Sequence, residues 1–133
     1  MSIRRVFDIS EHLQPSDDEP IRSIVQETPD ATIVAWIVRP GQCIATHVHP
    51  HGQDTWTLLS GEGHYQTDEA GTTVRIATGD VVVAPRGEVH GVRNTGSQPL
   101  VFISVVCPLE AGYRLLPSMA GTAPPFIGSS GQA

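Results

Sequence analysis

The sequence contains no lysine, since all 8 of its basic residues are arginine. A lysine amine forms the Schiff base of pyridoxal-phosphate enzymes and contacts phosphates in a phosphate-binding loop, so both classes of site are excluded. Charged residues make up only 17% of the chain, and the 14 acidic residues bring its net charge to −6. Because binding to a phosphate backbone needs clustered positive charge, nucleic acid is not an expected partner.

Long apolar runs are also missing. A membrane-spanning helix needs about 20 apolar residues in succession, and no stretch here approaches that length, so no membrane partner is predicted. The first ten residues, MSIRRVFDIS, lack the apolar core of a secretion signal, and we therefore expect a cytoplasmic protein. The two cysteines, Cys43 and Cys107, are far apart in strand-like stretches, so a disulfide framework is not expected.

The sequence is rich in β-branched residues, with 14 Val, 10 Ile and 11 Thr against only 7 Leu. These side chains suit a pleated surface, and their short runs are separated by Gly, Pro, Asn and Asp. Such spacing is typical of an all-β sandwich or barrel, with one helical turn near residues 10–14. Strands are predicted near residues 4–9, 21–27, 31–39, 42–49, 54–60, 62–67, 72–77, 80–84, 89–93, 99–107 and 112–116.

Composition divides the chain into three parts. We predict N-terminal strands within residues 1–30, a barrel over residues 31–116, and a tail over residues 117–133 that is rich in Pro, Gly and Ser. The tail has too little periodicity for a strand or a helix and is expected to be extended.

The most informative stretch is GQCIATHVHPHGQDTWTLLSG, from Gly41 to Gly61. Side chains alternate between the faces of a strand, so His47 and His49 point the same way, together with Cys43 and Ala45. That face is predicted to be the interior because its other members are small or apolar. Two buried imidazoles need polar partners, and metal ligation supplies one, since neutral imidazole is the commonest metal ligand.

Two further residues complete a ligand set. Asp54 begins the next strand and shares its predicted inward face with Trp56 and Leu58. His90 follows the Pro85–Gly87 turn, where a strand would re-enter the barrel. Three imidazoles and one oxygen form a plausible site for a divalent first-row transition metal such as Zn, Fe, Mn, Ni or Co.

At these residues the sequence resembles the cupin family. The family's first motif is G-x5-H-x-H-x3–4-E-x6-G, and its second is G-x5-P-x-G-x2-H-x3-N. The resemblance implies a double-stranded β-helix barrel, a jelly-roll-like sandwich, whose metal ligands are His47, His49 and His90 with Asp54 in the fourth place. The matching residues are Gly41, His47, His49, Asp54 and Gly61 in the first motif, and Gly79, Pro85, Gly87, His90 and Asn94 in the second.

One position departs from this pattern. Asp54 stands where the family usually has Glu, and its side chain is one methylene shorter. The neighbouring Gln53 or a water molecule are alternatives for the fourth ligand, although strand alternation lets only one of Gln53 and Asp54 face inward, and Asp54 is favoured because it keeps the motif spacing to Gly61. Of the remaining histidines, His51 lies in a turn and is open to a proton-transfer role, His64 is expected in the barrel wall, and His12 at the surface.

An inward-facing metal in a small barrel implies a small-molecule site. By resemblance, we expect a metal-dependent cyclase, isomerase, lyase or dioxygenase, with polyketide cyclases among the possibilities, and a homodimer formed through the N-terminal strands. Because the motif strands carry Trp, Leu, Val and Ala, the substrate is expected to be fairly apolar. Candidate catalytic residues are His51, Asp54 and Trp56, with Glu88 as another possible base. The alternative is a non-catalytic cupin that binds or senses a small ligand.

Overall fold

The structure is a computed structural model that describes residues 4–116. Its secondary structure is almost entirely strand, as the β-branched composition predicts. Ten strands are formed: β1 (Ser23–Thr28), β2 (Ala31–Val38), β3 (Cys43–Val48), β4 (Gln53–Ser60), β5 (Glu62–Gln66), β6 (Thr73–Ala77), β7 (Val81–Ala84), β8 (His90–Arg93), β9 (Leu100–Cys107) and β10 (Arg114–Leu115).

The strands form two five-stranded sheets in which every pairing is antiparallel. One sheet has the order β1-β2-β9-β4-β7, and the other has the order β10-β3-β8-β5-β6. From β2 to β5 and again from β7 to β10, consecutive strands alternate between the sheets. This alternation places β3 and β8, which carry histidines, opposite β4, which carries Asp54. The all-β prediction is confirmed.

The core lies between the sheets and is built from side chains that alternate along each strand. In β9, Leu100, Phe102 and Ser104 are buried, whereas the residues between them are only partly buried. The Phe102 ring stacks on Trp36 and on Trp56, with centroid distances of 6.3 and 4.3 Å. Burial of such large aromatic side chains is a main source of stability in a domain of this size.

A bulge in β3 sets the direction of the first histidine. Ile44 pairs with Val92 and His47 pairs with His90. Two residues of β3 between these pairs, 45 and 46, therefore lie opposite the single residue 91 of β8. Because a bulge shifts the alternation by one residue, Ile44 joins the core cluster on the face of His47. Simple alternation therefore does not hold along the whole of β3: Cys43 and His47 are buried as predicted, whereas Ala45 is only partly buried.

The N-terminal region differs from the prediction. Residues 4–8 form no strand, and Ile9–Glu11 form a short 3-10 helix near the helical turn that was expected. The carboxylate of Asp8 caps this turn by accepting a hydrogen bond from the backbone N–H of Ser10 at 3.0 Å. The strand predicted at 4–9 is thus wrong, whereas β1 forms as predicted. None of the described helices is long and apolar enough to cross a membrane. The predicted tail, 117–133, lies outside the described residues.

Candidate metal centre

Four side chains from three strands and an adjoining turn converge between the sheets. His47 is the penultimate residue of β3, His49 follows that strand, His90 begins β8 and Asp54 lies in β4. Direct pairing of His47 with His90 brings two of the imidazoles together, with ring centroids 4.2 Å apart. All four side chains are buried, and one potential ligand atom from each lies within 4.8 Å of the others. The group could therefore hold a metal ion, as the sequence predicts.

Backbone carbonyls fix the tautomer of each imidazole. The Nδ1 atom of His47 is 2.8 Å from the carbonyl oxygen of Ala45, and that of His49 is 2.7 Å from the carbonyl oxygen of Gly112. His90 Nδ1 is 3.1 Å from the carbonyl oxygen of Glu88. A carbonyl oxygen can only accept, so each Nδ1 carries the proton that it donates. In the neutral rings, every Nε2 then presents a lone pair.

The Asp54 carboxylate is held from two sides. Its Oδ1 accepts a 2.6 Å hydrogen bond from the Ser104 hydroxyl, and its Oδ2 lies 3.0 Å from His90 Nε2 and 3.4 Å from His49 Nε2. Burial alone would raise the pKa of this carboxyl. Positive charge at the neighbouring His49 and His90, together with the Ser104 hydroxyl, outweighs burial and holds the pKa below its usual range, so Asp54 is ionised when a cation lies beside it.

This arrangement needs a cation at its centre. The Nε2 atoms of His47 and His49 are buried and have no hydrogen-bond partner among residues 4–116, and His90 Nε2 faces a carboxylate oxygen. Burial and the neighbouring His90 lower the pKa of His47 to about 3, so its ring is neutral near pH 7. With all three rings neutral, three lone pairs and an anionic oxygen would face one another and repel unless a positive charge lay among them. Imidazole nitrogen and carboxylate oxygen suit a divalent transition metal.

Aromatic side chains surround the histidines. Trp56 and Tyr65 are buried and contact His90, with centroid distances of 5.9 and 6.5 Å. The Nε1–H of Trp56 is buried and has no partner within residues 4–116. Tyr113, just before β10, contacts His47 at 5.2 Å and His49 at 6.2 Å. The interior side of the centre is therefore apolar and offers one unpartnered hydrogen-bond donor.

The remaining sequence-predicted residues lie away from the cluster. Gln53 is exposed, which leaves Asp54 as the inward residue of the pair. His51 is exposed in the turn between β3 and β4 and is not brought into the cluster. His64 is only partly buried and bonds the Thr95 hydroxyl at 2.7 Å, beside a separate surface groove that contains no residue of the cluster. His12 is also partly buried, and its Nε2 has no hydrogen-bond partner in the described part of the chain, so the surface position expected for it is only approximate.

Three contributors to the centre were missed by the sequence reasoning: Ser104, the Gly112 carbonyl and Tyr113. Ser104 did leave a signal, because it occupies the inward position that follows Leu100 and Phe102 in an otherwise apolar strand. A lone hydroxyl on a buried face needs a polar partner nearby. Gly112 and Tyr113 contact residues that are far away in the sequence, so no local sequence pattern predicts their contacts.

Comparisons with known proteins agree with this geometry. A family profile described as "Cupin domain" matches residues 34–106. An uncharacterized conserved protein with a double-stranded beta-helix domain from Klebsiella pneumoniae has 47% sequence identity and a TM-score of 0.83, over 87% of this chain and 100% of that chain. KdgF from Halomonas sp. shares the fold at 23% identity, with a TM-score of 0.68 over 80% of this chain and 94% of that chain.

Sequence comparison also finds an oxalate-binding protein from Thermotoga maritima, which is 34% identical over 67 residues. These residues make up 50% of this chain and 54% of that protein, so the match spans about half the length of the relative. The family profile, by contrast, covers more than half of the present chain and includes all four residues of the cluster. This chain therefore belongs to the cupin family, and its fold is a double-stranded β-helix.

Proposed function

We propose that this protein is a metal-dependent enzyme that acts on a small, fairly apolar organic molecule, with one divalent transition metal held by His47, His49, Asp54 and His90. The observation that carries the proposal is the convergence of three buried imidazoles, each held at Nδ1 by a backbone carbonyl, and a buried carboxylate. When bound, such a metal acts as a Lewis acid or activates water or O₂, which suits cyclase, isomerase, lyase or dioxygenase chemistry.

The charge of the centre supports a substrate of low charge. A divalent ion offset by the Asp54 carboxylate leaves a single positive charge among neutral imidazoles. None of the 8 arginines is buried, and Arg39 and Arg75 form ion pairs with acidic side chains. A second buried anionic group on the substrate would therefore lack a counter-ion, and the desolvation cost would not be offset. A neutral molecule or one with a single anionic oxygen fits best.

The chain offers few groups for proton transfer and orientation. Asp54 is already engaged by Ser104 and two histidines, so it serves chiefly as a ligand and electrostatic partner. Trp56 forms the inner wall, where its unpartnered N–H can donate to a substrate oxygen. His51 lies in the turn that joins His49 to Asp54, and it is the proposed proton-transfer residue because its exposed ring exchanges protons with solvent. Glu88 is an exposed alternative, next to the carbonyl that holds His90.

Elemental analysis of protein purified without an affinity tag tests the proposal. Wild type is expected to contain about one divalent metal ion per chain, and His49→Ala should lose it because one of the four ligands is removed. Asp54→Ala should bind metal much more weakly. The matched control is His64→Ala, which removes an imidazole outside the cluster and should keep the metal. Equal metal content in the His49 and His64 variants would contradict the assignment.

A second candidate function is ligand binding without catalysis. Burial of all four cluster residues favours it, and one relative of this chain is described as an oxalate-binding protein. Water-proton relaxation of the Mn²⁺-loaded protein separates the two functions. Enhanced relaxation shows a metal with exchangeable water and supports the enzyme, whereas no enhancement would favour the closed binding protein.

We also propose that the protein is a homodimer. The strand β1 lies at the edge of its sheet, and Ile24 on that strand is 43% exposed. Open sheet edges with exposed apolar side chains are normally covered, and a second copy of the chain would cover this one.

A further inference from the structure

The three histidine rings have aromatic neighbours of very different exposure. Trp56 and Tyr65 contact His90 from inside the barrel and are 2% and 6% exposed. Tyr113 contacts His47 and His49, yet it is 41% exposed. Of Trp56, Tyr65 and Tyr113, only Tyr113 both contacts the metal centre and is exposed to solvent. Its ring therefore lies between these two histidines and the solvent.

The backbone that carries Tyr113 is firmly attached to the turn that follows β3. The Gly112 carbonyl accepts the 2.7 Å hydrogen bond from His49, and the Ala111 carbonyl accepts one from the backbone N–H of His51 at 2.7 Å. Packing is so close that a Cβ at Gly52 would lie 2.3 Å from the Cβ of Ala111. We call residues 109–116 the C-terminal strap. Its backbone is held in place, whereas a partly exposed side chain on it can change rotamer within nanoseconds.

We propose that Tyr113 is the entrance residue of the metal centre: its ring must turn aside for a ligand to reach the metal, and the bound ligand then packs against it. This inference rests on the proposed metal site and adds a specificity-determining residue to it. Tyr113 lies beyond residues 34–106, the range that matches the family profile. The size of molecule admitted would therefore be set by the strap rather than by the motif strands.

Cobalt-loaded protein provides the test, because Co²⁺ in a histidine site has a visible spectrum that reports on its ligands. Two rates are measured: loss of Co²⁺ to excess EDTA, and the spectral change on adding azide. Tyr113→Ala removes the ring and should raise both rates by about tenfold, the effect of losing one aromatic contact. Tyr113→Phe keeps the ring and should stay within about twofold of wild type on the same basis. Leu109→Ala is the control, since Leu109 lies on the same strap and is 38% exposed.

Each outcome decides a different point. Unchanged rates in Tyr113→Ala would overturn the entrance assignment while leaving the metal site intact. Equal acceleration in the Phe and Ala variants would assign the effect to the hydroxyl and also overturn it. A Tyr113→Ala protein that cannot take up Co²⁺ would show that the ring supports the site instead of covering it. A wild-type protein that takes up no Co²⁺ or other divalent metal would refute the proposed function itself.

Discussion

Ser104→Ala is the most informative single substitution, because it removes one hydrogen bond to a buried charge and little volume. The hydroxyl donates to Asp54 Oδ1 at 2.6 Å, and both side chains are buried. A hydrogen bond to a charged group contributes about 1.5–3 kcal/mol, so the free energy of unfolding should fall by about that amount. Loss of a group that orients a metal ligand typically weakens metal binding by about 10–100-fold, and we expect a loss in that range.

Ser23→Ala provides a matched control. Ser23 is also a buried serine, but its hydroxyl accepts a 2.9 Å hydrogen bond from the neutral side chain of Gln14. Its removal should cost about 1 kcal/mol of stability and leave metal affinity unchanged. Urea unfolding and competition with a metallochromic chelator measure the two effects. If both variants bind metal equally well, Ser104 does not orient the carboxylate and the account of the centre is wrong on that point.

Three further predictions concern pH, packing and assembly. Burial lowers the pKa of His47 to about 3 from 6.5, so between these values the unfolded chain binds more protons than the folded one. The metal-free protein should lose stability in urea as the pH falls from 6.5 toward 3, and a flat profile would contradict the neutral His47. Gly52→Ala places a Cβ 2.3 Å from that of Ala111 and should lower Tm by several degrees. Adding Ala111→Gly should restore part of the lost Tm. An unchanged Tm in Gly52→Ala would show that the strap shifts to accommodate the extra Cβ. Light scattering should give twice the chain mass of 14.2 kDa, and a monomer at high concentration would exclude the homodimer.

Much of the fold is visible in the sequence because strand signals are local. Short strand-like runs separated by turn residues correctly predict the positions of the ten strands found within residues 4–116, although β5 and β10 contain no β-branched residue. The error at residues 4–9 arose because Val6 and Phe7 resemble a strand, whereas a strand also needs a neighbour to pair with. Asp8 instead caps a helical turn, since its carboxylate accepts from the Ser10 backbone.

The site shows the same division between local and long-range information. The spacing of the two motifs predicts that the three histidines and Asp54 are the metal ligands. Because side chains alternate along β4 and Asp54 points inward, the adjacent Gln53 points outward. The bulge in β3 could not be foreseen, because it depends on how β8 pairs with β3. Ser104 and Gly112 are 50 and 63 residues from the groups they contact, so only the folded chain reveals that they hold the ligands in place.

The most direct test of the central claim is a crystal structure of metal-loaded protein with data collected at the absorption edge of the metal. The account predicts one anomalous peak per chain, within ligand distance of the Nε2 atoms of His47, His49 and His90 and of an Asp54 carboxylate oxygen. It would be contradicted by a peak elsewhere, or by no peak and a direct hydrogen bond between His90 and Asp54, because a proton would then be the cation that the cluster requires.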